Sequence, residues 1–199
     1  TSDNTEIMTI TADDSSIRGI AFYGYATLTD TVRITDGQGS SVTCSNFGVN
    51  ALGVNPYPSG DARSGGLAIV SSSNNVIGGN TLAERNVFSR NDSRSGLRIA
   101  DDDEIASPDN NTIIGNYFGT DLSGNVATNM ANGFSDMSLT AGSNNIIGGL
   151  SLAEGNVFAT ASAAGITISN STSTPINDNQ IIGNYFGVNK TLDVITGGG

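Results

Sequence analysis

The chain has 199 residues, enough for one sizeable domain, with 37% hydrophobic residues, only 14% charged residues and a net charge of −11. It contains no His, which excludes His-dependent catalytic triads and His-ligated zinc sites. The 8 basic residues are scattered among 19 acids, which disfavours nucleic-acid partners, and no apolar run approaches the ~20 residues needed for membrane insertion.

Six repeated turns organise the chain, and each begins with two apolar residues separated by one position. In chain order these pairs are Met8/Ile10, Val32/Ile34, Leu67/Ile69, Leu97/Ile99, Met137/Leu139 and Ile166/Ile168. A period of two is typical of a strand with one buried face.

Each turn continues with a second apolar segment and then a Phe. The second segments are marked by Ile17, Val42, Ile77, Ile113, Ile147 and Ile181, and the Phe residues are Phe22, Phe47, Phe88, Phe118, Phe158 and Phe186. The third and fifth turns carry matching six-residue insertions, around 81–84 and 151–154. Two residues before each second-segment residue stands a turn-forming side chain that could join a hydrogen-bonded ladder: Ser15, Ser40, Asn75, Asn111, Asn145 or Asn179.

The repeats predict an all-β parallel β-helix of about six coils, formed by residues 1–199 as a single domain. The turns are too short for the helical crossover of a βαβ unit. Stacked coils instead bury Ile against Ile and Phe against Phe, each coil ~4.8 Å from the next.

Segments 74–88 and 110–121 resemble the right-handed parallel β-helix repeats of the pectate-lyase-like superfamily, in the versions found in large secreted and cell-surface bacterial proteins. The resemblance implies right-handed coiling and an extracellular or cell-surface location. It leaves function open, because this scaffold carries lyases, hydrolases, tailspikes and adhesins. We expect the chain to be either a fragment of a longer solenoid or a subunit that stacks end to end.

The candidate catalytic residues are Asp101, Asp102, Asp103 and Glu104, with Arg98 before them. Clustered carboxylates can bind Ca²⁺ or supply a general acid and base, although most charge runs are solvated loops. The resemblance to pectate lyases makes Arg98 the candidate proton acceptor. Against catalysis, the outward residues between the buried pairs include no acid: Thr9, Arg33, Ala68, Arg98, Ser138 and Thr167.

Three weaker signals complete the sequence-based candidates. Asp121, Ser123 and Asn125 place oxygens at alternate positions, as calcium loops do, although turn formation is the favoured interpretation. Tyr117 and Tyr185 precede the repeated Phe and should point outward, two coils apart, as a ligand-binding pair for sugar rings. The single Cys44 allows no internal disulfide and is expected to be buried.

These observations predict a non-catalytic extracellular β-solenoid segment with a structural, adhesion or surface-display role. The alternatives are a lyase or hydrolase module acting on an acidic polysaccharide, a glycan-binding module and, as a minor one, the subunit of an end-to-end stacked filament. The expected partners are glycans or neighbouring solenoid coils or subunits. No cofactor is expected, and Ca²⁺ is the one candidate ion.

Overall fold

The computed structural model describes residues 6–23, 29–53, 65–102, 106–126, 129–170 and 174–195. Within these ranges the regular structure is 18 β-strands in three sheets, without helices. No helix there is therefore long and apolar enough to cross a membrane.

Each coil contributes one strand to each sheet. Sheet 1 contains β1 (Met8–Ile10), β4 (Asp30–Thr35), β7 (Gly65–Val70), β10 (Leu97–Ala100), β13 (Ser135–Leu139) and β16 (Ala164–Ile168). Sheet 2 contains β2 (Ser16–Arg18), β5 (Ser41–Thr43), β8 (Val76–Gly78), β11 (Thr112–Ile114), β14 (Ile146–Gly148) and β17 (Gln180–Ile182). Sheet 3 contains β3 (Ala21–Phe22), β6 (Asn46–Phe47), β9 (Val87–Phe88), β12 (Tyr117–Phe118), β15 (Val157–Phe158) and β18 (Tyr185–Phe186).

All pairings within the three sheets are parallel, and their register is the one that the repeats predict. In sheet 1, for example, Leu97 lies opposite Leu67 on one side and Met137 on the other. In sheet 2, Ile113 pairs with Ile77 and Ile147. The predicted β-solenoid of about six coils is thus confirmed.

The repeated Phe residues form one continuous stack inside the solenoid. Neighbouring rings lie 4.7–5.2 Å apart between centroids and are tilted by only 9–18°. The stack is flanked by the first- and second-segment aliphatic residues in one buried cluster. Phe134, the seventh Phe, belongs to no repeat position and is 59% exposed.

The predicted asparagine ladder closes the corner before sheet 2. Asn75 Nδ2 donates to Asn111 Oδ1 at 2.8 Å, and the same bonds continue to Asn145 and Asn179 at 3.0 and 2.9 Å. Each receiving Oδ1 also accepts the backbone N–H of the preceding coil's ladder residue. Ser40 joins only through its backbone, since its N–H donates to Asn75 Oδ1. The ladder therefore satisfies polar groups that the buried corner hides from water.

A second ladder, which the sequence analysis missed, closes the corner before sheet 3. Its members share the position two residues before the stacked Phe: Asn86, Asn116, Asn156 and Asn184. Each of these amides also donates to a backbone carbonyl of the sheet-2 strand one coil earlier, as Asn116 does to Ile77 at 2.9 Å. The signal was present in the sequence as a repeated Asn-x-Phe pattern.

A buried carboxyl group lies in β13, next to the core residue Met137. Asp136 is 1% exposed and accepts a bond from Asn132 Nδ2 at 2.7 Å, but its Oδ2 has no partner among the described residues. Burial raises the pKa of Asp136 well above its ordinary value, although the bond from Asn132 opposes the shift. Neighbouring coils place Gly66, Gly96 and Gly165 at this position, immediately before the first core residue.

Replacing Phe118 with Ala should lower the free energy of unfolding by about 3–5 kcal/mol, because it opens a cavity in the middle of the ring stack. Phe134→Ala is the matched control and should change it by less than about 0.5 kcal/mol. Denaturant titration of both variants measures the difference. Equal effects would contradict the packed column.

Replacing Asp136 with Asn should raise the free energy of unfolding at pH 7. In the folded wild type, the buried carboxyl must either keep its proton at a pH above its ordinary pKa or carry a charge without a full set of partners, and both cost free energy. The neutral amide avoids this cost. A raised pKa in the folded state makes wild-type stability fall as the pH rises above the ordinary Asp value of 3.8 toward the folded value. The gain from D136N should therefore grow between pH 4 and pH 7 in thermal unfolding. Asp36→Asn, at an exposed site, should show no such trend.

Candidate functional site

The outward face of sheet 1 carries a compact ion-pair network around Asp102. Its Oδ1 and Oδ2 accept bonds from Arg98 Nη1 and Nη2 at 2.6 and 2.9 Å, and Oδ2 also accepts one from Arg33 at 2.8 Å. Arg33 and Arg98 are separated in the register by the small Ala68. The two guanidinium groups can therefore converge on one carboxylate.

Asp30 forms the buried end of this network. Its Oδ2 accepts a bond from Arg98 Nη2 at 2.7 Å and lies 3.8 Å from Arg94 Nη1. Gly65 provides the space, because a Cβ there would lie 2.8 Å from both Asp30 Oδ1 and Arg94 Cβ. Sequence reasoning missed Asp30, whose only signal was its place two residues before a core Val.

The absence of acid from the outward column holds, but it does not extend to the whole face of sheet 1. The outward column does read Thr9, Arg33, Ala68, Arg98, Ser138 and Thr167 in register. However, Asp30 and Asp102 reach the face from positions beyond the column, at the start of one strand and after the end of another. A column with one residue per coil does not include side chains that reach the face from beyond its strands.

The network holds its groups in their charged forms. Burial by itself would raise the pKa of Asp102, but the bonds and charges of Arg98 and Arg33 outweigh it and lower the pKa to about 2. For Arg98, burial lowers the pKa, yet Asp102 and Asp30 together raise it above its already high ordinary value. At neutral pH, Asp102 therefore has no proton to donate and Arg98 does not accept one.

The other members of the predicted acidic cluster are not assembled with Asp102. Asp101 is 1% exposed and accepts bonds from Ser71 Oγ at 2.9 Å and from Thr174 Oγ1, which ties together loops of three coils. Asp103 and Glu104 lie outside the described residues. Asp101 and Asp102 thus have separate environments, and Asp101 acts as a structural acceptor.

Tyr117 and Tyr185 point away from the solenoid interior, but Tyr117 is not an exposed aromatic. It is only 5% exposed, because the guanidinium carbon of Arg85 lies 4.0 Å from its ring centroid and the 121–125 loop covers its edge. Burial raises the pKa of Tyr117, while the charge of Arg85 opposes the shift. Tyr185 is half-buried. Strand alternation correctly gave the direction of both rings and could not give the loop that covers one.

The two tyrosines line a groove along the outer face of sheet 3, here called the outer groove. Its floor is formed by Val87, Tyr117, Val157 and Tyr185, and Leu82 and Leu152 from the two insertions form one wall. The opposite wall includes Leu122, Lys190 and Leu192. Two adjoining cavities of about 670 and 490 Å³ share Leu82, Arg85, Tyr117 and Lys190.

The proposed calcium ligands form a closed turn. Asp121 Oδ1 accepts bonds from Ser123 Oγ at 2.7 Å and from the N–H of Asn125 at 2.9 Å, and Asn125 Nδ2 donates to Ser123 Oγ at 2.8 Å. These bonds favour the turn interpretation. No group of three or more His, Cys, Asp or Glu residues within the described ranges is placed to hold a metal ion.

The expectation that Cys44 is buried is wrong. Cys44 is exposed and has a φ of +53° at the corner between sheets 2 and 3. Other coils place Gly19, Gly115 and Gly183 at this corner, with φ values of +61° to +73°. The position faces outward, and its backbone conformation rather than side-chain hydrophobicity decides its exposure.

Comparison with protein-family models, curated proteins and solved structures finds no match to this chain.

Replacing Asp102 with Asn should lower the free energy of unfolding at pH 7 by about 1 kcal/mol, a modest loss because its side chain is partly solvated. A lowered pKa means that the carboxylate stabilises the fold fully above the ordinary value of 3.8 and loses this contribution as the pH falls toward 2. Wild type and D102N should therefore converge in acid. Ser138→Ala, on the same outward column, should show no pH-dependent difference from wild type.

Proposed function

We propose that this chain is a non-catalytic β-solenoid segment of an extracellular or cell-surface protein, with a structural, adhesion or display role. The observation that carries the proposal is that the charged side chains on the outward face of sheet 1 are paired with one another. Asp102 is held by two arginines, and Arg98 is held by two carboxylates. Because Asp102 and Arg98 are ion-paired in their charged forms, they stabilise the fold and do not provide a pair of groups for proton transfer.

The lyase or hydrolase alternative requires groups that this arrangement does not supply. A lyase needs a base that can lose its proton, whereas ion pairing strengthens the hold of Arg98 on its own proton. A hydrolase needs a carboxylic acid protonated near the working pH, whereas the pKa of Asp102 is lowered to about 2. The geometry therefore favours a non-catalytic role.

The glycan-binding alternative loses one of its two proposed contacts. Sugar rings stack on exposed aromatic faces, and Tyr117 already has Arg85 on its ring. The resemblance of segments 74–88 and 110–121 to right-handed, pectate-lyase-like repeats of secreted and surface proteins supports the extracellular location. It does not require a sugar ligand, since the same scaffold carries adhesins and other proteins.

The proposal predicts no turnover of acidic polysaccharides. A panel of polyuronates incubated with the purified chain, with and without Ca²⁺, should yield neither unsaturated products nor new reducing ends. Turnover that disappears in both Arg98→Gln and Asp102→Asn would overturn the non-catalytic assignment.

The location is tested separately. Antibodies raised against the chain should label intact, unpermeabilised cells of the organism that makes it, and external protease should remove the signal. Labelling only after permeabilisation would contradict the surface role.

A further inference from the structure

We propose that the outer groove binds an aliphatic carboxylate, with Arg85 holding the carboxylate and the leucine-lined walls holding the chain. The proposal concerns the face of sheet 3 and is independent of the ion-pair network on sheet 1. It rests on three features of the groove: its shape, its charge and its lack of polar partners.

The first feature is a concave apolar surface of suitable size. Leu82 and Leu152, on equivalent insertions, are 81% and 76% exposed along one wall. Between the walls, the larger cavity of about 670 Å³ lies within the range of pockets that enclose small molecules. Exposed leucines that are gathered along a groove indicate a binding surface, whereas single exposed leucines scattered over a surface do not.

The second feature is a positive charge without a carboxylate. The described residues that line the two cavities include Arg85 and Lys190 but no Asp or Glu, in a chain with 19 acids and 8 basic residues. The groove is therefore an exception to the acidic character of the protein, and it complements an anion.

Arg85 is already positioned to receive that anion. Its Nε donates to Gly115 O at 2.6 Å, and its guanidinium lies over the ring of Tyr117. The terminal Nη1 and Nη2 have no hydrogen-bond partner among the described residues. A guanidinium fixed on one side and open on the other suits two parallel bonds to a carboxylate. Burial lowers the pKa of Arg85, as expected for a cation that lacks an anionic partner.

The third feature distinguishes an aliphatic chain from a sugar or a peptide. Apart from the two cations and the two tyrosines, the described residues that line the groove offer few polar side chains, chiefly Asn46, Ser123 and Thr191. A sugar would bring many hydroxyl groups, and a peptide would bring an N–H and a C=O at nearly every residue, which would be left without partners. An aliphatic chain has no such groups, so its single charged end is all that must be satisfied.

The probe is dodecanoate, titrated into the full chain by calorimetry below its micelle-forming concentration. We expect saturable binding with one molecule per chain. Acetate, which has the head group without the chain, and dodecyltrimethylammonium, which has the chain with the opposite charge, should not bind at the same concentrations. Equal binding of the two dodecyl compounds, or saturable binding of a uronic-acid tetrasaccharide in place of dodecanoate, would overturn the proposal.

Two variants locate the site. Arg85→Gln should weaken dodecanoate binding by on the order of tenfold or more, as the loss of a charge-assisted bond implies. Leu82→Asp should abolish dodecanoate binding, because the new carboxylate repels the carboxylate of the ligand. The fold should be undisturbed, because Leu82 is exposed. Arg94→Gln, in the loop before β10 and beside Asp30, is the control and should bind as wild type does. Unchanged affinity in L82D, with circular dichroism confirming that it is folded, would exclude the outer groove even if R85Q were unstable.

Discussion

The structure depends on like side chains lying over like side chains in successive coils. The Phe stack shows this most directly, since its centroid spacing of 4.7–5.2 Å follows the ~4.8 Å separation of paired strands. The asparagine ladders repeat the same spacing in polar form at two corners of the coil. A coil by itself would bury neither its apolar side chains nor its amides, so the stability of each coil comes from its neighbours.

This constraint leaves the outside of the solenoid free to vary. The inner positions are committed to packing and to backbone hydrogen bonds, whereas the outward positions differ from one sheet to the next. Sheet 1 carries opposite charges that pair with one another around Asp102, and sheet 3 carries an apolar floor flanked by insertions. The proposed structural role depends on the regular interior of the stacked coils, whereas the proposed ligand contacts the loops that border the outer groove.

The placement of unusual residues follows the same division. Asp136 is buried at a position that is Gly in the two adjacent coils, and its carboxyl lacks a full set of partners there among the described residues. Cys44 occupies a corner that is Gly in other coils, where its side chain meets solvent instead of the core. In both cases the conformation of the coil decides the environment, and the side chain adapts to it.

The repeats by themselves determined the parallel coils, their number, the register and the Phe stack, because one side chain per coil at a fixed position leaves only one way to bury them all. They also gave the first asparagine ladder and the outward direction of Tyr117 and Tyr185. Only the tertiary structure decided which outward groups meet. Asp30 reaches Arg98 from two coils earlier, Asp102 joins Arg98 to Arg33, and Arg85 folds from an insertion onto Tyr117. Such contacts depend on the paths that loops of unequal length take across the surface. These paths do not repeat from coil to coil, so no repeated sequence pattern marks them.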